Sequence, residues 1–413
     1  MNEAQKTLSK KYLIYKFVMS LWFISAIWLF FYRIFMTDAE AGTLDAIAFA
    51  FGLLVEVPSG ALADRFGRSR VAKIGLIMSG IGIAMQAIGG FWTILAFQIG
   101  FTAGQSLISG ADDALFYDKL KFKEDSTHWR RLVTRGGQAA LAAMLIATVM
   151  GGFIYDFNPQ LTWILNGVAI IVAVIVIWSI KDESKARDKQ TIRQNIKEYA
   201  VDIRVGFREF KKPKFRLYVP LIITIQGLFY ASGMGILRLI LIDKFTFSPF
   251  QGSIVIASCG IISIIVLHFM HKYSEKLREK RVLTTIALAT IFGLVFSIFD
   301  VGWWGYVVIL IFYVGEHALH PFMSEILNKQ ASPDRRSTVL SVASFLKILP
   351  YVALAPIIGF LNTNNSLEIF LICWAVLSAL AWLYYFIAKK KDRFIKVNFE
   401  DTNESGEASL ERK

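Results

Sequence analysis

The placement of positive charge constrains this chain more than any other feature. It holds 45 Lys and Arg among 413 residues. Twelve long apolar runs can be marked, at about 12–36, 43–63, 71–90, 92–118, 132–155, 161–180, 215–242, 249–270, 282–299, 303–327, 337–360 and 366–388. All the basic residues except Arg33, Arg238, Lys244 and Lys347 fall in the two termini, in every second connection between these runs, or, as Lys16, Lys73, Arg135 and Arg216 do, within five residues of the run ends on that same side. Lys and Arg beside membrane spans stay on the cytoplasmic side. The alternation therefore predicts a multi-pass protein of the cell membrane with both termini cytoplasmic. A span needs about 20 residues at 1.5 Å rise. Backbone groups in lipid must be satisfied internally, so runs this long read as helices.

Composition agrees. A soluble domain does not carry 55% hydrophobic and 14% aromatic residues, because such surfaces associate. The net charge of +13 would suggest nucleic acid, but its alternation between apolar runs reads as topology and attraction to an anionic inner leaflet. No nucleic-acid partner is expected. Cys259 and Cys373 both fall inside spans, so neither a disulfide framework nor a thiolate metal site is expected. The first apolar run continues to about Met36, too long for the core of a cleavable leader.

The chain divides into a six-helix bundle over 1–181, a polar basic linker over 182–214, a second six-helix bundle over 215–388 and a polar tail over 389–413. In the linker, Ile192, Ile196, Tyr199, Ile203, Phe207 and Phe210 recur at helical spacing with Arg193, Lys197, Arg204 and Arg208 between them. That pattern predicts a basic amphipathic helix on the inner membrane surface. The tail opens with Lys389-Lys390-Lys391, turns acidic, and is expected to be disordered. The halves echo each other. Ala114-Leu115-Phe116-Tyr117-Asp118-Lys119-Leu120 ends span 4 ahead of Arg130-Arg131, and Pro321-Phe322-Met323-Ser324-Glu325-Ile326-Leu327 ends span 10 ahead of Arg335-Arg336. Paired repeats of six helices point to a rocking transporter with its substrate between the bundles.

Between spans 2 and 3 stands Gly60-Ala61-Leu62-Ala63-Asp64-Arg65-Phe66-Gly67-Arg68-Ser69-Arg70. Gly60 permits close helix approach, and Gly67 a tight turn. Asp64 sits among Arg65, Arg68 and Arg70, a cluster able to pair in one conformation and part in another. This segment resembles the signature loop of the major facilitator superfamily through Gly60, Leu62, Ala63, Asp64, Arg65, Gly67 and Arg68. Glu56-Val57-Pro58-Ser59-Gly60, Ser109-Gly110-Ala111-Asp112-Asp113-Ala114-Leu115-Phe116-Tyr117-Asp118 and Arg336-Ser337-Thr338-Val339-Leu340-Ser341 are similar to a bacterial, drug-efflux-like subgroup. The resemblance implies an all-α membrane protein of twelve transmembrane helices in two pseudo-repeat bundles, working as a monomer. It implies that Asp64 latches the cytoplasmic side through arginines and span 11. In the second half, Glu275 and Arg281 align with Asp64 and Arg70, although the glycines are gone. Two departures weaken the case for proton-driven drug export. Span 4 reads Gln98-Ile99-Gly100-Phe101-Thr102-Ala103-Gly104 without the expected arginine, and span 5 has Gly151-Gly152 without a proline.

Charge in hydrocarbon costs on the order of 3 kcal/mol, so each buried case invites a functional reading. Glu316 lies about 13 residues after Trp303, hence near mid-membrane. His320 falls one turn on, and Lys347 reaches a comparable depth in span 11. Two readings are open: Glu316 as a proton carrier with Lys347 or His320 as partner, or a static Glu316–Lys347 bridge. Glu56, two turns from Asp64, is a further titratable candidate. For Arg33 two readings are open, an expected pair with Asp45 across the first hairpin or snorkelling to the headgroups. Trp28, Tyr32, Arg33, Gln98, Phe229, Tyr230 and Arg238 are candidate cavity residues, with packing or an interfacial belt as the alternative for the aromatics. Pro350 and Pro356 predict bends in span 11. No metal, phosphate loop or nucleophile–base set stands out, so no enzyme and no cofactor is expected, and a proton gradient is the expected energy source. The leading expectation is a secondary transporter exporting a small amphipathic compound. The alternatives are proton-coupled uptake of a nutrient and a non-transporting sensor or assembly partner.

Overall fold

The computed structural model describes residues 3–109, 111–120, 126–180, 201, 203–272 and 278–410. For Glu56, Gly60, Asp64, Arg65, Arg68 and residues 391–410 only the backbone is described, and Glu275 lies outside the described residues. Among the described residues there are helices and turns and no strand. Nine of these helical segments are long and apolar enough to cross a membrane unaided, matching spans 3 to 8 and 10 to 12. Spans 2 and 9 are single helices as well, Asp38–Phe66 and Glu279–Phe296.

Helix contacts follow the halves. Span 3 packs on spans 4 and 6, and span 1 on spans 5 and 6; span 8 packs on span 10, and span 9 on spans 10 and 12. The two bundles meet along spans 2 and 11, along spans 5 and 8, and at the end of span 1 against span 7. Gly67, with φ of 92°, turns the chain between spans 2 and 3 in a backbone region that only glycine enters freely. Gly151 lies so close to the Phe23 backbone, and Gly152 to Ser253, that a Cβ on either would overlap its neighbour. The glycine pair in span 5 thus sets the approach of that helix to span 1 on one side and span 8 on the other.

Three spans expected to be continuous are interrupted. Span 1 forms helix over Glu3–Met19 and Trp28–Tyr32, with irregular backbone between. No proline or glycine marks this break. Side-chain bonds brace the irregular stretch: Trp22 Nε1 donates locally to the Met19 carbonyl at 3.2 Å, Ser25 Oγ meets Thr148 Oγ1 at 2.8 Å, and Arg238 donates to the Ser25 carbonyl at 2.8 Å. Span 4 divides into Phe91–Ile108 and Ala111–Leu120. Span 7 is built from Pro213–Arg216, Val219–Leu221, a wide π turn at Ile222–Gln226, Gly227–Gly233 and Ile236–Lys244. Irregular backbone at membrane depth persists only where protein satisfies it, and broken helices tend to line the cavity of transporters.

Of the linker's expected helix, Ile192, Arg193, Ile196, Lys197 and Tyr199 lie outside the described residues, and 203–210 is helical. Phe207 packs edge-on against Phe345 of span 11 at 5.8 Å, and Phe210 against Phe215 at 5.6 Å. The last helix runs without interruption over Leu367–Leu410, into the tail expected to be disordered. At its midpoint Lys389 is anchored on Glu279 at 3.0 Å. Glu279 also accepts from Tyr218 and Tyr385, both at 2.9 Å. Burial pushes this carboxyl up, but the Lys389 and tyrosine donors outweigh it and hold Glu279 below the ordinary carboxylate range.

Candidate functional site

The seam between the bundles has two chemically different ends. At the end poor in Lys and Arg it is closed by specific bonds. Arg33 pairs with Asp38 at 2.7 Å within the first bundle and with Asp243 of the second, also at 2.7 Å. The Asn362 amide donates to Asp38, and the Thr363 hydroxyl accepts from the Ala39 N–H at 3.1 Å. Deeper in, the Tyr351 hydroxyl donates to Asp45 and accepts from the Ile236 N–H at 2.9 Å. Ile236 begins the helix that follows the break in span 7, so its amide has no partner within that helix. Tyr351 caps it and carries the bond across to span 2. The expected Arg33–Asp45 pair is therefore not formed. Arg33 is taken by two other aspartates, and Asp45 points across the seam to span 11.

Packing tightens the same end. A Cβ at Gly42 would strike the Ala355 carbonyl, and one at Gly359 the Asp38 carbonyl. Spans 2 and 11 thus touch backbone to backbone, as small residues permit in membranes.

Mid-membrane charge lies one step inward. Glu316 is 11 residues into the helix Gly305–Gln330, about 16 Å along its axis. Its carboxylate rests against Gly233, at the break in span 7. Among the described residues it forms no hydrogen bond and no ion pair. It lies in the fields of Arg238 and Lys347. Arg238 stands toward the charge-poor end and is 8% exposed, with its Nε atom unpartnered. Lys347 stands toward the basic end, 11 residues into Arg336–Thr363. The static Glu316–Lys347 bridge is not formed, and neither Arg238 nor Lys347 bonds the carboxylate. His320 meets the Gln226 amide at 3.3 Å. Lys347 and His320 share a cavity of about 190 Å³ with Gln226, Ser324 and Ser344.

The other candidates divide. Tyr230 lies at the seam, edge-on to Phe49 at 5.7 Å and to Tyr351 at 5.6 Å, with the Lys347 ammonium 5.3 Å from its ring. Tyr32 and Gln98 belong to a polar chain inside the first bundle: Tyr32 donates to Gln86 at 2.8 Å, and Gln86 to Gln98 at 2.9 Å. Trp28 packs edge-on against Tyr32 at 5.3 Å. Phe229 is buried against Phe312 at 6.4 Å. Tyr32 and Phe229 are therefore packing residues here, whereas Tyr230 faces the seam. Arg70 of the loop motif is exposed. Pro350 and Pro356 lie inside one unbroken helix. Among the described residues no three His, Cys, Asp or Glu converge as metal ligands would.

Asp112 and Asp113, read from sequence as solvated or gate-pairing groups at the inner end of span 4, have partners that sequence reasoning did not find. Lys16 Nζ lies 2.8 Å from Asp113 and 3.3 Å from Asp112, while Tyr12 and Tyr15 donate to the same two carboxylates at 3.2 Å. This cluster joins span 1 to the break in span 4. The Asp112-Asp113 pair beside Gly110 was a visible signal; its partners, about 100 residues away, were not.

A family model described as Major Facilitator Superfamily matches residues 13–349. Multidrug resistance protein MdtH of Proteus mirabilis is 22% identical over 308 residues, covering 71% of this chain and 72% of that protein. Quinolone resistance protein NorA of Staphylococcus aureus is 23% identical over 335 residues, 75% of this chain and 79% of its own. The nucleoside transporter NupG superposes with a TM-score of 0.72 at 11% identity, covering 94% of this chain and 100% of that one. A D-xylose-proton symporter superposes with a TM-score of 0.63 at 15% identity, covering 92% and 96%. These structural likenesses establish the fold.

Proposed function

Because the chain belongs to the Major Facilitator Superfamily, and is thereby a multi-pass membrane transporter and not an enzyme, we propose that it exports a small amphipathic compound across the cell membrane in exchange for protons. The basic face is cytoplasmic in this reading, so the bonded end of the seam is the outer gate. Alternating access requires that gate to part as the bundles rock. Asp45–Tyr351, Arg33–Asp243 and Arg238–Ser25 would break together, while the Asp64 loop latches the inner side.

One observation carries the proton coupling: the Glu316 carboxylate lies midway along its helix against the break in span 7 and, among the described residues, forms no hydrogen bond or ion pair. A carboxylate so placed can take a proton from the outer face and release it inward when the surrounding fields change with the rocking motion. The direction of transport draws its support from the relatives whose printed names denote drug resistance.

The test is flux in proteoliposomes with a trapped pH dye and an imposed proton gradient, challenged with lipophilic cations, fluoroquinolones and sugars. Export predicts that an amphipathic compound discharges the gradient and that Glu316→Gln flattens the pH dependence of its flux. Discharge by sugars alone would replace export with uptake. A pH profile unchanged in Glu316→Gln would remove Glu316 from the coupling.

A further inference from the structure

The cavity beside Lys347 is too small for a whole drug-sized molecule. Ligand sites for those run to roughly 300–1,000 Å³, and this one is about 190 Å³. It is the size of a subsite for one end of a ligand. Its chemistry is one-sided. Lys347 supplies an ammonium, Ser324 and Ser344 supply hydroxyls, and Gln226 and His320 complete the polar wall; Met323 and leucines form the rest, and no carboxylate lines it. Among the described residues Lys347 has no ion pair. Its ammonium lies near the Tyr230 ring, 5.3 Å from the centroid, and feels the distant charge of Glu316.

An ammonium at this depth without a bonded counter-ion is costly, and a site keeps such a group where an anion completes it. Resting on the transport reading above, we infer that this pocket receives the carboxylate of the transported compound, with Lys347 as its counter-ion, Ser324 and Ser344 as hydrogen-bond donors, and the Tyr230 ring beside the ligand's adjoining apolar part. The compound is thus an amphipathic organic acid or zwitterion rather than a simple lipophilic cation. The pocket lies in the basic half of the second bundle, so the acid end loads from that face. The same anion would screen Lys347 from Glu316, which ties occupancy of the subsite to the charge state of the coupling carboxylate.

The experiment is isothermal titration of the full chain in detergent micelles with matched probe pairs. These are norfloxacin and its methyl ester, and naphthoate and its methyl ester, with tetraphenylphosphonium as a cation lacking any acid group. In the unaltered protein at least one acid should bind roughly tenfold more tightly than its ester, the scale of one charge-assisted hydrogen bond. Lys347→Ala should abolish that preference, Lys347→Arg should keep it, and Ser344→Ala should reduce it by a few-fold. Thermal unfolding of each variant shows whether it is folded; if Lys347→Ala does not fold, Ser344→Ala and Lys347→Arg decide. No binding of either acid, equal binding of acid and ester, or a preference that survives Lys347→Ala overturns the inference. The two proposals fail separately. Acid preference without proton-driven flux sinks export and keeps the subsite. Proton-driven flux of tetraphenylphosphonium alone, unaltered in Lys347→Ala, keeps export and sinks the subsite.

Discussion

The charge-poor end of the seam and the basic-half pocket use the same residue types to opposite ends. At the first, almost every polar group is paired: Arg33 with two aspartates, Asp45 with Tyr351, Tyr351 with the Ile236 amide. Around the second, Lys347 and Glu316 face each other's fields without a bond. Paired polar groups in a low-dielectric setting hold one arrangement, whereas unpaired ones store an unmet demand that a ligand or proton can meet. In the transport reading proposed above, the contrast separates a gate that stays shut until the bundles rock from a subsite that binds.

The comparison can be broken first by volume. Gly359→Val places side-chain atoms against the Asp38 carbonyl and should cost about 3 kcal/mol of the closed seam. Spin labels on the charge-poor ends of spans 2 and 11 should then report a longer distance, and transport should fall sharply. An unchanged distance would mean that the seam is not tight there. Tyr351→Phe comes next. It keeps the ring but leaves the buried Ile236 amide and Asp45 without their partner, at about 1–2 kcal/mol. The expected outcome is a partial shift of the same label distance toward the open form with little loss of total folding. Asp243→Ala should act more weakly, about 1 kcal/mol, because Asp243 is half exposed and Arg33 keeps its pair with Asp38. Its effect should shrink at high salt, while that of Tyr351→Phe should not.

The smallest effect sharpens the contrast from outside the seam. Glu279 is held below the ordinary carboxylate range, so the folded protein binds its proton less readily than the unfolded chain. Its contribution is complete above the unfolded value of about 4.3 and fades as pH falls through the lower folded value. Unfolding temperatures of the unaltered protein and Glu279→Gln should differ at pH 7 and converge in acid, below the ordinary carboxylate range. A constant difference would mean that the carboxylate charge is not what ties Lys389, Tyr218 and Tyr385 together.

Much of this architecture was open to sequence reasoning because the bilayer acts on segments rather than on contacts. Apolar runs long enough to span, the placement of Lys and Arg between them, and Gly67 at a tight turn are local facts with few physical solutions. The break in span 7 carried a local sign as well, in Gly233-Met234-Gly235, and so did that in span 4, in Ser109-Gly110. The break in span 1 carried none. Its partners are distant: Arg238, 213 residues away, donates to the Ser25 carbonyl, Thr148, 123 residues away, meets the Ser25 hydroxyl, and Gly151 lets the Phe23 backbone come close. The site divides along the same line. Glu316 and Lys347 stood out in the sequence because charge is costly in hydrocarbon, but that they face each other unbonded follows from helix packing.

The sequence by itself determined that this chain crosses the membrane many times, that its basic residues gather at one end of the spans, and which ionisable groups lie midway along them, because hydrocarbon selects for those properties residue by residue. Tertiary structure alone decided who pairs with whom. Arg33 had Asp45 within easy reach of one hairpin and took Asp38 and Asp243 instead; Asp45 went to a tyrosine 306 positions away. A partner is fixed by the direction in which each helix face points and by how closely glycines let two backbones approach, and those quantities exist only once the bundles have met.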